Sequence, residues 1–340
     1  MEDGLKVFKY DQQFTLESGY TYPAIHLGYS TYGELNYNSD NVIWIFHALT
    51  ANSHVIDWWH GLVGEGKLFD PQKYFIICVN VPGSCYGSIS PLDMNPLTNE
   101  KYYHDFAFFT TRDIIRSLRL LRDHLKIGTI YLGIGGSMGG QQLLEWAVEE
   151  PDAFKYIVPL ATNAQHSAWG IAFNTSQRMS IEADQSWLNK ADNAGLEGMK
   201  VARSIALLSY RHYETYHASQ SEHDNARIEN YKSQSYQKYQ GEKLARRFNA
   251  FSYYFLSKTM DAHNLGRGRE SVQEALSLIK SKTLIIGINT DILFPVSEQK
   301  LLAEYIQGAK LETIDSLYGH DGFLLEFEKI EHLIIQFIDK

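Results

Sequence analysis

The sequence predicts an α/β protein with a mostly parallel sheet, helices on both faces and a helical lid inserted late in the sheet. Three observations predict it. Short apolar runs alternate with helical periodicities along the chain. Most of those runs lack the period-two alternation of a half-exposed strand, as strands covered on both faces do. The alternation stops after about residue 167 and resumes after about residue 280.

Residues 41–46 (NVIWIF), 74–80 (YFIICVN), 129–134 (TIYLGI), 156–160 (YIVPL) and 283–288 (TLIIGI) read as buried strands. Residues 112–125 carry Ile114, Ile115, Leu118, Leu121 and Leu125 at helical spacing, and residues 140–150 place Leu143, Leu144, Trp146 and Ala147 similarly. Between them and the last strands lies a stretch rich in Tyr, Gln, Ser and charge, with helical patterns at 201–210 and 244–260. The expected division is a core in two parts, 1–167 and 281–340, with a helical lid insertion at 168–280. No internal repeat interrupts it.

Composition narrows the function classes. With 44% hydrophobic residues in 340 positions, the chain can bury a large core. A net charge of −9 with both signs interspersed gives no basic stripe for nucleic acid. Only two cysteines occur, which suits a reducing compartment. The first residues lack the basic-then-apolar layout of a signal peptide, and no apolar run approaches the roughly 18 residues of a membrane span. The expectation is a cytoplasmic protein. No H-E-x-x-H or paired C-x-x-C spacing predicts a metal site, and Gly266-Arg267-Gly268 follows no strand and is no dinucleotide fingerprint.

The strongest local signal is Gly135-Gly136-Ser137-Met138-Gly139, a G-x-S-x-G pentapeptide between the 129–134 strand and the 140–150 helix. Alone, it reads equally well as a glycine-rich turn with a serine cap. A sharp strand-to-helix turn gives it chemistry. It lifts the serine hydroxyl above the sheet, at a helix N-terminus where backbone N–H groups meet an anion. That context predicts a nucleophile and the α/β-hydrolase fold.

A serine needs a histidine to take its proton and an acid to fix that histidine's tautomer. In this fold they follow the serine as acid, then histidine. Thirteen histidines are present, so position decides. Asp291 lies just past the 283–288 strand, in residues 289–295 (NTDILFP). His320 lies in residues 317–322 (LYGHDG), a loop after the short run Lys310–Ile314. The bland alternatives are a turn-capping aspartate and a solvated loop histidine. For the oxyanion hole, the expected donors are the backbone N–H of Met138 and that of Leu49, in the loop 47–51 (HALTA). The His47 side chain is expected to support that loop.

These residues, with several longer stretches, resemble the homoserine O-acetyltransferases of the α/β-hydrolase superfamily. The likeness runs from about residue 15 to 335. It is carried by 47–50 (HALT), 135–140 (GGSMGG), 144–147 (LEWA), 167–174 (SAWGIAFN), Gln177-Arg178, 239–243 (YQGEK), 261–269 (DAHNLGRGR), 291–295 (DILFP) and 319–324 (GHDGFL). Residues 82–88 (PGSCYGS) depart from the family's Gly-Gly-Cys run. The resemblance implies a ping-pong transfer of acetyl from acetyl-CoA, through acyl-Ser137, to the hydroxyl of L-homoserine, in methionine synthesis. It implies coenzyme A as substrate with no bound cofactor, and a homodimer joined through the helical lid. It also implies that Arg178 grips the acceptor's carboxylate and Asp321 its ammonium. Relatives of the fold that use succinyl-CoA, serine or water remain the alternatives.

Overall fold

The computed structural model describes residues 4–339. Its centre is an eight-stranded sheet: β1 (Lys6–Tyr10), β2 (Ile25–Tyr32), β3 (Val42–Phe46), β4 (Phe75–Val79), β5 (Ile130–Gly136), β6 (Phe154–Leu160), β7 (Lys282–Ile288) and β8 (Lys310–Ile314). Their order in space is β1-β2-β4-β3-β5-β6-β7-β8. β1 and β2 are antiparallel to their neighbours, and from β4 to β8 every pairing is parallel. Neither β1 nor β2 stands out in the sequence as a buried apolar run. β1 alternates exposed and half-buried positions at an edge, and β2 mixes polar residues among apolar ones.

The missing alternation in the central strands has a direct cause. All five residues of β3 are buried, and successive side chains enter opposite cores. Trp44 and Phe46 join one, and Ile43 and Ile45 the other. The first core is closed by α1 (Thr111–His124) and α2 (Met138–Glu149) through Leu118, Leu143 and Trp146. There Trp146 meets Trp44 edge to face, with ring centroids 4.9 Å apart. The second is closed by the short helix Val55–Trp59 and, at the chain's end, by the helix Phe327–Ile338 through Ile330 and Ile334.

Between β6 and β7 the chain runs through α3 (Ala168–Glu182), α4 (Leu196–Tyr210), α5 (Tyr213–Gln220), α6 (Lys232–Ala245) and α7 (Ala250–Asp261). The single helix expected at 244–260 is two. α6 ends at Ala245, and the Asn249 side chain caps α7 by accepting from Ser252 N–H at 2.8 Å. Leu244, Phe248, Phe251 and Phe255 keep helical spacing across the break and are all buried, which conceals it from a periodicity argument. After β7, α8 (Val296–Tyr305) leads to β8, and the base-bearing loop precedes α9 (Phe327–Ile338).

Candidate active site

Ser137 sits between β5 and α2 with φ 57° and ψ −128°, a conformation that costs a non-glycine residue about 1–3 kcal/mol. The surroundings impose it. Ser137 N–H donates to Leu160 O at 3.0 Å, and Thr162 Oγ1 donates to Ser137 O at 2.8 Å. The flanking glycines are required by space. A Cβ on Gly139 would lie 2.1 Å from Phe46 O, and one on Gly135 would lie 2.6 Å from the Gly139 carbonyl. Only with both Cβ atoms absent does the helix begin this close to β3. Met138 opens α2, so its N–H has no acceptor within the helix.

His320 lies in a one-turn helix, Gly319–Asp321, and its Nδ1 is 2.6 Å from Asp291 Oδ2. The other Asp291 oxygen accepts from the N–H groups of Leu293 and Phe294 at 2.8 and 2.9 Å. The carboxylate is thereby fixed, and it selects the His320 tautomer with the proton on Nδ1, leaving Nε2 to accept. Aromatic rings hold the imidazole in place. Phe294 stacks on it at 5.0 Å, Phe323 meets it edge-on at 5.3 Å, and Tyr210 of α4 lies 5.7 Å away.

The loop after β3 carries Leu49. Val81 N–H donates to His47 Nε2 at 3.1 Å, and His47 Nδ1–H donates to Ala48 O at 2.9 Å. Burial holds the imidazole neutral, with its pKa lowered to about 4. Gln142 ties this loop to the serine turn, donating to both His47 O and Met138 O at 3.1 and 3.2 Å.

One cavity of about 480 Å³ collects these parts: Ser137, His320, Leu49 and Asp321 all line it. Burial raises the Asp321 carboxyl, while Arg211 (3.3 Å from Oδ2) and Arg203 pull it back down. Arg178 is elsewhere. Its guanidinium is bound to Asp261 at 2.5 Å, Ser257 at 3.0 Å and Thr175 at 3.2 Å, and it does not line the cavity. The expectation that Arg178 grips a substrate carboxylate is therefore corrected: Asp261 already occupies its charge.

Two arginines do line the cavity, Arg247 after α6 and Arg203 of α4, and Arg203 is not among the residues expected above to bind substrate. Among the described residues it forms no salt bridge or hydrogen bond, and it lies over the Tyr210 ring at 5.5 Å. The available signal was a cation set between the buried Ala202 and Ala206 on an otherwise apolar helix face. Among the described residues no cluster of His, Cys, Asp and Glu could hold a metal ion.

Comparisons with known proteins bear on the fold and the family. The alpha/beta hydrolase fold family matches residues 41–327. The homoserine O-acetyltransferase of Cyclobacterium marinum is 47% identical over 332 residues, covering 98% of this chain and 94% of the relative. The crystal structure of homoserine O-acetyltransferase from Bacillus anthracis superposes with a TM-score of 0.89 at 25% identity, covering 99% of this chain and 98% of that one. An acetylester hydrolase from Corynebacterium glutamicum, at 22% identity and a TM-score of 0.87, covers 99% of this chain and 96% of its own and shares the fold. The serine turn, the acid-held histidine and the near full-length likeness lead to one assignment: the chain is an acyltransferase of the homoserine O-acetyltransferase family, built on the α/β-hydrolase fold.

Proposed function

We propose that the enzyme transfers an acetyl group from acetyl-CoA to L-homoserine in two steps through acyl-Ser137. Ser137 Oγ attacks the thioester carbonyl while His320 Nε2 takes its proton. The oxyanion forms against the N–H groups of Leu49 and Met138. The C–S bond then breaks, and the sulfur leaves as thiol with the proton from His320. The homoserine hydroxyl attacks the acyl-serine, gives its proton to His320, and Ser137 recovers it as the ester product departs. Acetyl-CoA enters as a substrate, and the chemistry needs no bound cofactor.

The observation that carries this reading is the presence of Arg203 and Asp321 in the cavity that holds Ser137 and His320. An α-amino acid presents a carboxylate and an ammonium on one carbon. A guanidinium and a carboxylate facing one cavity match that pair, whereas water as acceptor needs neither. We place the product in methionine synthesis and the enzyme in the cytoplasm; no helix among the described residues is long and apolar enough to cross a membrane. Val201 and Leu208, exposed on α4, support a homodimer joined through these helices.

Thiol release from acetyl-CoA, with and without L-homoserine, tests the proposal. Sustained release is expected only when homoserine is present, and none in Ser137→Ala. Release indifferent to homoserine means hydrolysis. Turnover only with succinyl-CoA, or only with serine, keeps the mechanism and replaces the substrate.

A further inference from the structure

The cavity wall carries two cations that the two-step chemistry does not use, Lys243 and Arg247. Both are exposed, whereas Ser137 is buried at 6% exposure, so they stand at the mouth and the serine at the floor. Lys243 is in the last turn of α6, and Arg247 follows in the break before α7. Packing sets the direction in which α6 presents Lys243. A Cβ on Gly241 would lie 2.7 Å from Lys200 O, so that face of α6 is pressed against α4. Glu242 turns to Lys200 at 2.9 Å and is not available to neutralise its neighbour. Among the described residues neither Lys243 nor Arg247 has a carboxylate in salt-bridge range. Arg247 is held from one side only. Its Nη1 donates to Thr50 O at 2.5 Å and to Tyr86 Oη at 2.6 Å, while among the described residues no hydrogen bond engages its Nη2 or Nε.

A cation in the last turn of a helix is ordinarily explained by the carbonyl dipoles there. That explanation does not cover two of them lining one opening, neither within salt-bridge range of a carboxylate among the described residues, on a chain of net charge −9. Local positive potential on an acidic protein marks the approach of an anion. The donor proposed above has its anionic groups far from its reacting carbon, because an extended pantetheine arm separates thioester from phosphates. When the thioester reaches Ser137, the phosphates remain at the rim. We infer that Lys243 and Arg247 form the phosphate-binding rim for the coenzyme A moiety of the acyl donor, Lys243 as a mobile point charge and Arg247 as a fixed fork. This rests on the reading that the donor is acetyl-CoA. It also gives the YQGEK stretch its chemistry: the glycine seats the helix and the lysine faces the donor.

The test compares two donors at saturating homoserine: acetyl-CoA, and S-acetyl-N-acetylcysteamine, which keeps the thioester and lacks every phosphate. The quantity read is the ratio of their kcat/KM values in wild type, Lys243→Ala, Lys243→Glu and Lys243→Arg. Lys243 carries the substitutions because Arg247 also braces the loop of Leu49. We expect the preference for acetyl-CoA to fall about tenfold in Lys243→Ala, the size of one lost charge-assisted contact. It should fall further in Lys243→Glu and recover in Lys243→Arg. In wild type it should also weaken as salt is raised. A wild-type preference that survives Lys243→Glu overturns the phosphate rim alone. A wild type that does not prefer acetyl-CoA overturns the donor assignment, and the rim with it.

Discussion

Arg178 and Arg203 are the same side chain in two electrostatic situations. Arg178 is neutralised by Asp261, which also accepts from Asn174 at 2.9 Å, so its charge is spent inside the helical layer. Arg203 faces the cavity, and among the described residues no acid is bound to it. Substituting each should therefore produce different losses. Arg203→Ala should lower kcat/KM for homoserine about 100-fold, a loss in the range of a charged hydrogen bond, while the first burst of CoA release from acetyl-CoA persists. Arg178→Ala should leave Asp261 half-buried without its partner and cost about 1–3 kcal/mol of stability, read by urea unfolding. A homoserine defect confined to Arg178→Ala would reverse the two roles. Ser137, Asp291 and His320 were legible because each follows a strand end in a fixed order. The roles of the two arginines were not, because a sequence cannot show which acid stands opposite a guanidinium.

At the level of elements, the strands from β3 to β7 were legible because both their faces are apolar. β1 and β2 were not, because each has one apolar face only, Phe8 and Tyr10 in β1 and Ile25, Leu27 and Tyr29 in β2, with polar, exposed or glycine positions between them. The break between α6 and α7 was hidden for another reason: the hydrophobic rhythm continues through it, and only the spacing of Asn249 and Ser252 marks it. The cap, though small in sequence, holds the start of α7 and with it the direction of the Arg247 turn. Asn249→Ala should cost about 1 kcal/mol, and Asn249→Asp, which keeps the accepting oxygen, should lose much less. The midpoint of urea unfolding separates them. Equal losses would mean that the side-chain bond to Ser252 contributes nothing.

For the molecule as a whole, buried and half-buried titratable groups outside the Ser137, Asp291 and His320 set have opposing pH dependences. His47, His166 and His263 are kept neutral by burial, with pKa values near 4, 4 and 3, so their contribution to stability is lost as pH falls below their ordinary 6.5. Glu298 on α8 acts in the opposite sense. Burial pushes its carboxyl up to about 7, with Asn163 and Ser167 opposing the rise and Asp291 adding to it. The folded state therefore holds a proton that the unfolded state has released above its ordinary 4.5, and stability is lost as pH rises from there through about 7. Glu298→Gln removes that loss. Its Tm relative to wild type should climb between pH 5 and pH 8, whereas a constant difference would show that Glu298 is not protonated in the fold.

One contact bears on how the two layers are joined. Gly319, at φ 60°, lies where a Cβ would come within 2.8 Å of the Tyr210 carbonyl at the end of α4. The turn bearing the imidazole thus rests directly on the inserted helices, although the sheet supplies its covalent neighbours. A graft that exchanged the insertion for one from another protein, with seams cut at the sheet edge, would remove that seat. Such a chimera needs a replacement helix whose final carbonyl comes equally close to residue 319, or the turn will lose its footing.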